Sequence, residues 1–146
     1  MVRFGTSGWR GIIGRELTFR RVRMVVQAMI ETLREEDAPA ERIAVGFDTR
    51  MLSEKFAQTA SQLIASNGIG AELTVRDVPS PVVASMVLER SAAAGITFTG
   101  SHNPAEYNGL KIYTARSTAH GVELPNGAIW DFRLARHHRT RVDVPP

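Results

Sequence analysis

The chain has no cysteine and only two lysines among its 146 residues. Without cysteine there is no disulfide to staple the fold and no thiolate to bind a metal or attack a substrate. That absence fits an enzyme of the reducing cytoplasm, which is the expected location. Long apolar runs are lacking too: nothing approaches the roughly 20 residues that span a bilayer. Met1-Val2-Arg3-Phe4 leads straight into glycine-rich sequence, so no signal peptide is expected. Aspartate is sparse and scattered, with five residues and no two within ten positions. Such spacing sets out no carboxylate cluster for a divalent cation.

Hydrophobic content of 43% and charged content of 23% are globular values, and the length suits one domain with a real core. The net charge of +3 is carried mainly by arginine, which supplies sixteen of the 18 basic residues. A compositional bias accounts for that. Against it, Lys111 stands out, because an amine can release a proton and a guanidinium practically cannot.

Hydrophobic periodicity sets out alternating elements. Thr18 caps a helix whose apolar positions are Val22, Val25, Val26, Met29, Ile30 and Leu33. Ile43 to Phe47 reads as a buried strand that ends at Asp48-Thr49-Arg50. Ser53 begins a second helix, with Phe56, Ala60, Leu63 and Ile64 inward, which stops at Asn67-Gly68. Ala71 to Val75 is a strand candidate. Ser80-Pro81 predicts a third helix, with Ser80 as cap and Val83, Met86 and Val87 inward. Gly95 to Thr99 and Leu110 to Tyr113 are further strands. Strands alternating with helices predict an α/β fold, a three-layer α/β/α sandwich around a mostly parallel mixed sheet. In such sheets ligands gather beyond the carboxyl ends of the strands.

The most informative stretch is Thr99-Gly100-Ser101-His102-Asn103-Pro104, followed by Asn108-Gly109-Leu110-Lys111. Gly100 breaks a strand and sets Ser101 on a turn, and Gly109 is read as closing the loop. A serine presented at a strand end, with His102, Asn103 and Lys111 beside it, suits covalent catalysis. A hydrolytic triad is a poor competitor: Ser101 and His102 are sequence neighbours, and the Gly-x-Ser-x-Gly elbow is absent. A second signal is Phe4-Gly5-Thr6-Ser7-Gly8-Trp9-Arg10-Gly11. There, backbone N–H groups can approach an anion and Arg10 adds a planar fork for phosphate.

The Ser-His-Asn-Pro string resembles the phosphoserine loop of the α-D-phosphohexomutases, the phosphoglucomutase/phosphomannomutase family. The Gly-Thr-Ser-Gly-Trp-Arg-Gly run is similar to that family's N-terminal motif. Val45-Gly46-Phe47-Asp48-Thr49-Arg50 and Asp77-Val78-Pro79-Ser80-Pro81 are softer echoes, for which turn-forming roles are expected. The resemblance implies that Ser101 carries a phosphoryl group and that His102 and Lys111 assist proton transfer or charge balance. It implies that Arg10 lies beside the phosphoserine, with Thr6, Ser7, Gly100 and Asn103 binding phosphate or substrate. Gly100 stands where the family often has alanine, and a slightly looser loop is expected.

By the same resemblance residues 1–125 are the family's first domain, and 126–146 a basic tail or the start of a linker. The implied cofactors are Mg²⁺, reached through the phosphate on Ser101 with its other ligands from a domain outside this chain, and a hexose 1,6-bisphosphate activator. The implied partners are a hexose phosphate and the remaining mutase domains, with no nucleic acid and no membrane. The isolated chain is expected to fold yet lack turnover. Two other readings stand beside this one: a phosphate- or phosphosugar-binding module without catalysis, and an arginine-rich nucleic-acid binder. The segment Arg136-His137-His138-Arg139 reads as a solvated tail rather than a nucleic-acid contact.

Overall fold

A computed structural model of the chain describes residues 2, 8–35 and 41–114. The elements run β1 (Trp9–Ile12), α1 (Phe19–Glu35), β2 (Arg42–Phe47), α2 (Ser53–Ser66), β3 (Gly70–Leu73), α3 (Ser80–Glu89), β4 (Ala94–Phe98) and β5 (Tyr107–Thr114). They form one five-stranded sheet in the order β1-β5-β4-β2-β3. β2 pairs in parallel with β3 and with β4, while β5 pairs antiparallel with both β4 and β1. Only β5 therefore runs against the other strands. The result is the mostly parallel mixed sheet that the alternating pattern predicts.

Each helix forms for a local reason. The Thr18 hydroxyl accepts the Arg21 amide at 3.2 Å, which satisfies one of the orphan donors of the first turn of α1. The predicted stripe from Val22 to Leu33 is buried, joined by Thr32, whose hydroxyl bonds back to the Ala28 carbonyl at 2.9 Å. Burying each of the large apolar side chains contributes about 1.5–3 kcal/mol. α2 starts at Ser53 as expected, but Leu52 in a left-handed conformation precedes it and no side chain caps it. In α3 the cap differs from the prediction: Pro79 occupies it in extended backbone, and Ser80 is already helical. A proline in the first turn costs little, because those N–H groups lack intrahelical acceptors anyway.

Alternation along the strands separates two cores. Ile43, Val45, Ile96, Phe98, Leu110 and Ile112 face α1 and α2. Ala44 and Tyr113 face α3, packed with Val83, Ala84 and Val87. The α3 layer lies close because the sheet is small there: a Cβ on Gly95 would fall 2.6 Å from Val87 Cγ2.

Two local readings are corrected. Trp9–Ile12, part of the glycine-rich motif and not among the predicted strands, is an edge strand with Arg10 opposite Gly109. Gly109 in turn sits inside β5 instead of closing the loop, since β5 already begins at Tyr107. Both features depend on pairing with a distant strand, which local periodicity cannot report. The expected tail or linker at 126–146 lies outside the described residues. Among the described residues no helix is long and apolar enough to cross a membrane.

Candidate functional site

Parallel pairing of β2 with β4 places their carboxyl ends side by side, so Asp48-Thr49-Arg50 and Thr99-Gly100-Ser101 leave the sheet together. Ser101 sits on the turn after β4 with φ +55°, a left-handed conformation uncommon for a residue with a Cβ. Its amide donates to Thr99 Oγ1 at 2.9 Å, and the Asn103 amide donates to the Gly100 carbonyl at 3.1 Å. Ser101 and His102 are exposed, and Ser101 Oγ lies 3.4 Å from His102 Nδ1. The serine hydroxyl is thus displayed to solvent with an imidazole beside it. Asn103 contributes to this arrangement through its backbone.

Arg10 and Lys111 lie on the strands of the other flank, β1 and β5. Register places Thr97 opposite Lys111 and Gly109 opposite Arg10, while the Thr99 amide donates to the Gly109 carbonyl at 3.0 Å. Arg10, Thr97, Thr99 and Lys111 therefore share the α3 face of the sheet. α3 packs mainly on β2 and β4, and on the uncovered flank Arg10 and Lys111 are half-buried. Gly109 opens the path for Arg10, since a Cβ there would lie 2.9 Å from Arg10 Cγ. Burial, and then the charge of Arg10, hold the Lys111 amine below its ordinary pKa of 10.5. Lys111 belongs to the interior of β5, in keeping with the strand predicted from Leu110 to Tyr113. Thr6 and Ser7 lie outside the described residues.

Gly100 is buried, and the looser loop expected from it is not what the packing shows. An added Cβ would lie 2.7 Å from both Arg50 Nη1 and the Tyr107 carbonyl oxygen. The space that alanine would fill is occupied by the Arg50 guanidinium.

Arg50 and its neighbours make the densest polar network around the loop. Asp48 Oδ1 accepts the Arg50 amide at 2.9 Å and the Ser53 hydroxyl at 2.6 Å. Asn108, fully buried, donates to Ser53 Oγ at 2.8 Å and to the Met51 carbonyl at 3.0 Å. Sequence reasoning assigned Asp48 and Arg50 to a strand-to-helix turn and missed the reach of Arg50 across to the serine loop. The Asp-x-Arg spacing at a strand end was the available signal.

Among the described residues no three His, Cys, Asp or Glu side chains cluster. Asp48, the carboxylate beside the loop, is engaged by Ser53 and lies 3.7 Å from Arg50 Nε.

Comparison with known proteins agrees with this geometry. Residues 1–126 match the family description "Phosphoglucomutase/phosphomannomutase, alpha/beta/alpha domain I". A phosphoglucosamine mutase of Ruminiclostridium cellulolyticum is 33% identical over 84% of this chain and 26% of its own length. A phosphoglucomutase of Staphylococcus saprophyticus is 35% identical over 77% of this chain and 21% of its own length. Among solved structures, a Thermus thermophilus protein assigned as a phosphomannomutase superposes with a TM-score of 0.73 at 37% identity, covering 77% of this chain and 25% of that one. The chain spans about a quarter of the length of the curated relatives it matches.

Proposed function

This chain belongs to the phosphoglucomutase/phosphomannomutase family as its alpha/beta/alpha domain I, and from that premise we propose that Ser101 is the phosphoryl carrier of a hexose-phosphate mutase. The observation that carries the reading is the placement of Ser101: exposed, on a constrained turn beyond β4, where the flanking sheet face also holds Arg10 and Lys111. In this reading phosphoserine 101 gives its phosphoryl group to the free hydroxyl of a hexose phosphate. The P–O bond to Ser101 Oγ breaks, a P–O bond to the sugar oxygen forms, and the sugar hydroxyl loses its proton to a base. The hexose bisphosphate then returns its other phosphoryl group to Ser101.

Phosphoryl transfer depends on positioning and on neutralising charge rather than on covalent chemistry by many groups. Arg10 supplies a guanidinium that stays protonated, suited to holding phosphate oxygens. Lys111, its amine pKa lowered, is suited to moving a proton as well as offering charge. His102, 3.4 Å from the serine oxygen, is placed to exchange a proton with it. Thr6 and Ser7 are assigned to phosphate binding with Asn103 and Gly100, on the motif alone for the first two. In a magnesium shell Ser101 would take part through a phosphate oxygen, and the other ligands would come from further domains. Residues 126–146 are assigned as a basic tail or as the start of the connection to those domains.

The isolated chain therefore holds phosphate without turning substrate over, which makes a binding-only module the second reading. A cation shell of one phosphate oxygen, and a substrate anchored at one end, leave the reacting hydroxyl unoriented.

The test is to incubate the full-length protein with a hexose 1,6-bisphosphate and measure intact and peptide masses. One added phosphate on the peptide containing Ser101, lost in Ser101→Ala, is the expected result. Phosphate on another residue, or mutase turnover surviving in Ser101→Ala, overturns the proposal.

A further inference from the structure

We propose that Arg50 is a positioning residue that locks the 100–107 loop, and with it the Ser101 hydroxyl, by binding four of that loop's backbone carbonyls. The inference rests on the reading of Ser101 as phosphoryl carrier. Arg50 Nη1 donates to the Pro104 and Tyr107 carbonyls at 2.8 and 3.0 Å. Its Nη2 donates to the Ser101 and Asn103 carbonyls at 2.6 and 2.5 Å. An arginine has five N–H groups in a fixed fork. Four go to the loop, and Nε faces Asp48 Oδ2 at 3.7 Å.

That arrangement separates holding from ligand binding. All four Nη–H groups are committed to the loop, and Nε is turned toward a carboxylate that opposes the charge. What Arg50 does hold is the peptide unit that aims the nucleophile. Ser101 is gripped at both ends, its N–H by Thr99 Oγ1 and its C=O by Arg50. A residue with a side chain is disfavoured in the left-handed conformation, so it persists there only where its surroundings hold it. Gly100 completes the clasp by omission: with a Cβ at that position the guanidinium would be displaced from the carbonyls. Lysine cannot replace the fork, because three donors on one nitrogen do not span four acceptors.

The test combines amide hydrogen exchange on the 146-residue chain with phosphate loading in the full-length protein. In Arg50→Ala the Asn103 and Tyr107 amides should exchange at least about tenfold faster, while amides of β2 and β4 keep their protection. Arg50→Lys should behave like Arg50→Ala. Gly100→Ala should open the same amides with Arg50 still present, and should add nothing in the Arg50→Ala background. Loading of Ser101 from a hexose 1,6-bisphosphate should slow about tenfold in Arg50→Lys with the half-saturating concentration unchanged, because Arg50 does not touch the ligand.

Unchanged loop exchange in Arg50→Ala overturns the proposal. So does rescue by lysine, which would mark Arg50 as a point charge. Loss of strand protection in both Arg50→Lys and Gly100→Ala would make the role one of general folding and would overturn it too. A wild-type protein that takes no phosphate overturns the carrier reading alone, while the exchange contrast still decides what Arg50 does.

Discussion

On the β2 side of the site, Arg50 gives its N–H groups to four carbonyls and faces Asp48; on the β1 side, Arg10 and Lys111 share one sheet face as like charges. Both flanks are cationic and both approach the same loop. On the first, charge is matched and directional bonding fixes geometry. On the second, two cations are held close enough, and dry enough, to pull the lysine pKa down. Matched charge in a saturated network stabilises shape. Like charge held half-buried disfavours the ammonium form of Lys111, and under the proposed function a phosphate group would relieve that penalty. The comparison yields opposite expectations for substitutions on the two sides.

The largest effect should come from the network on the Arg50 side. Asn108→Ala removes three hydrogen bonds: the Met51 carbonyl and the Ser53 hydroxyl lose a donor, and the Gly109 amide loses its acceptor Oδ1. A loss of about 2–4 kcal/mol is expected in urea unfolding. A change below about 0.5 kcal/mol would mean that the network is no tighter than ordinary surface bonding, and the contrast would fail on its structural side.

The next effect belongs to the other flank and should appear in chemistry more than in stability. Lys111→Arg keeps the positive charge but replaces an amine that can release its proton with a guanidinium that practically cannot. In the full-length protein, turnover should fall at least about tenfold, with the urea midpoint little moved. Unchanged kinetics would reduce Lys111 to a strand residue whose charge is incidental.

The two flanks also differ in how far they can be read from sequence. The three helices announce themselves locally, through the Thr18 cap, the stripe from Val22 to Leu33, and the Asn67-Gly68 stop. The serine loop is equally legible, because Gly100, Ser101, His102 and Asn103 carry their chemistry in one run. β1 is not, since an edge strand of four residues containing Gly11 has weak propensity of its own and exists by pairing with β5. The Arg50 clasp is least legible of all. Its acceptors are main-chain carbonyls, identical in every residue type, and they lie 51 to 57 positions away. Gly100 illustrates the same limit: the sequence suggests slack, yet the missing Cβ is where a guanidinium packs.

The smallest expected effect is a pH dependence, and it tests the electrostatic side most directly. Lys111 has a lowered pKa in the folded chain, so folding disfavours its ammonium form. Between that lowered value and 10.5, its ordinary value, the unfolded chain binds more protons than the folded one. Stability contributed by this group therefore rises as pH climbs through that window, and below the window its penalty is fully present. Lys111→Met keeps the aliphatic stem and removes the charge. It should raise the melting midpoint at pH 7 by about one or two degrees. That advantage should shrink as pH moves up toward 10.5, where wild type loses the charge anyway. Arg10→Met should remove only the smaller share of the effect, because burial outweighs the neighbouring charge among its causes. Lys55→Met, on the solvent side of α2, makes the same chemical change without Arg10 beside it and provides the control. If Lys111→Met instead melts lower at pH 7, the ammonium is net favourable in the fold. The β1 flank would then stabilise shape just as Arg50 does, and the distinction between the two sides would be lost.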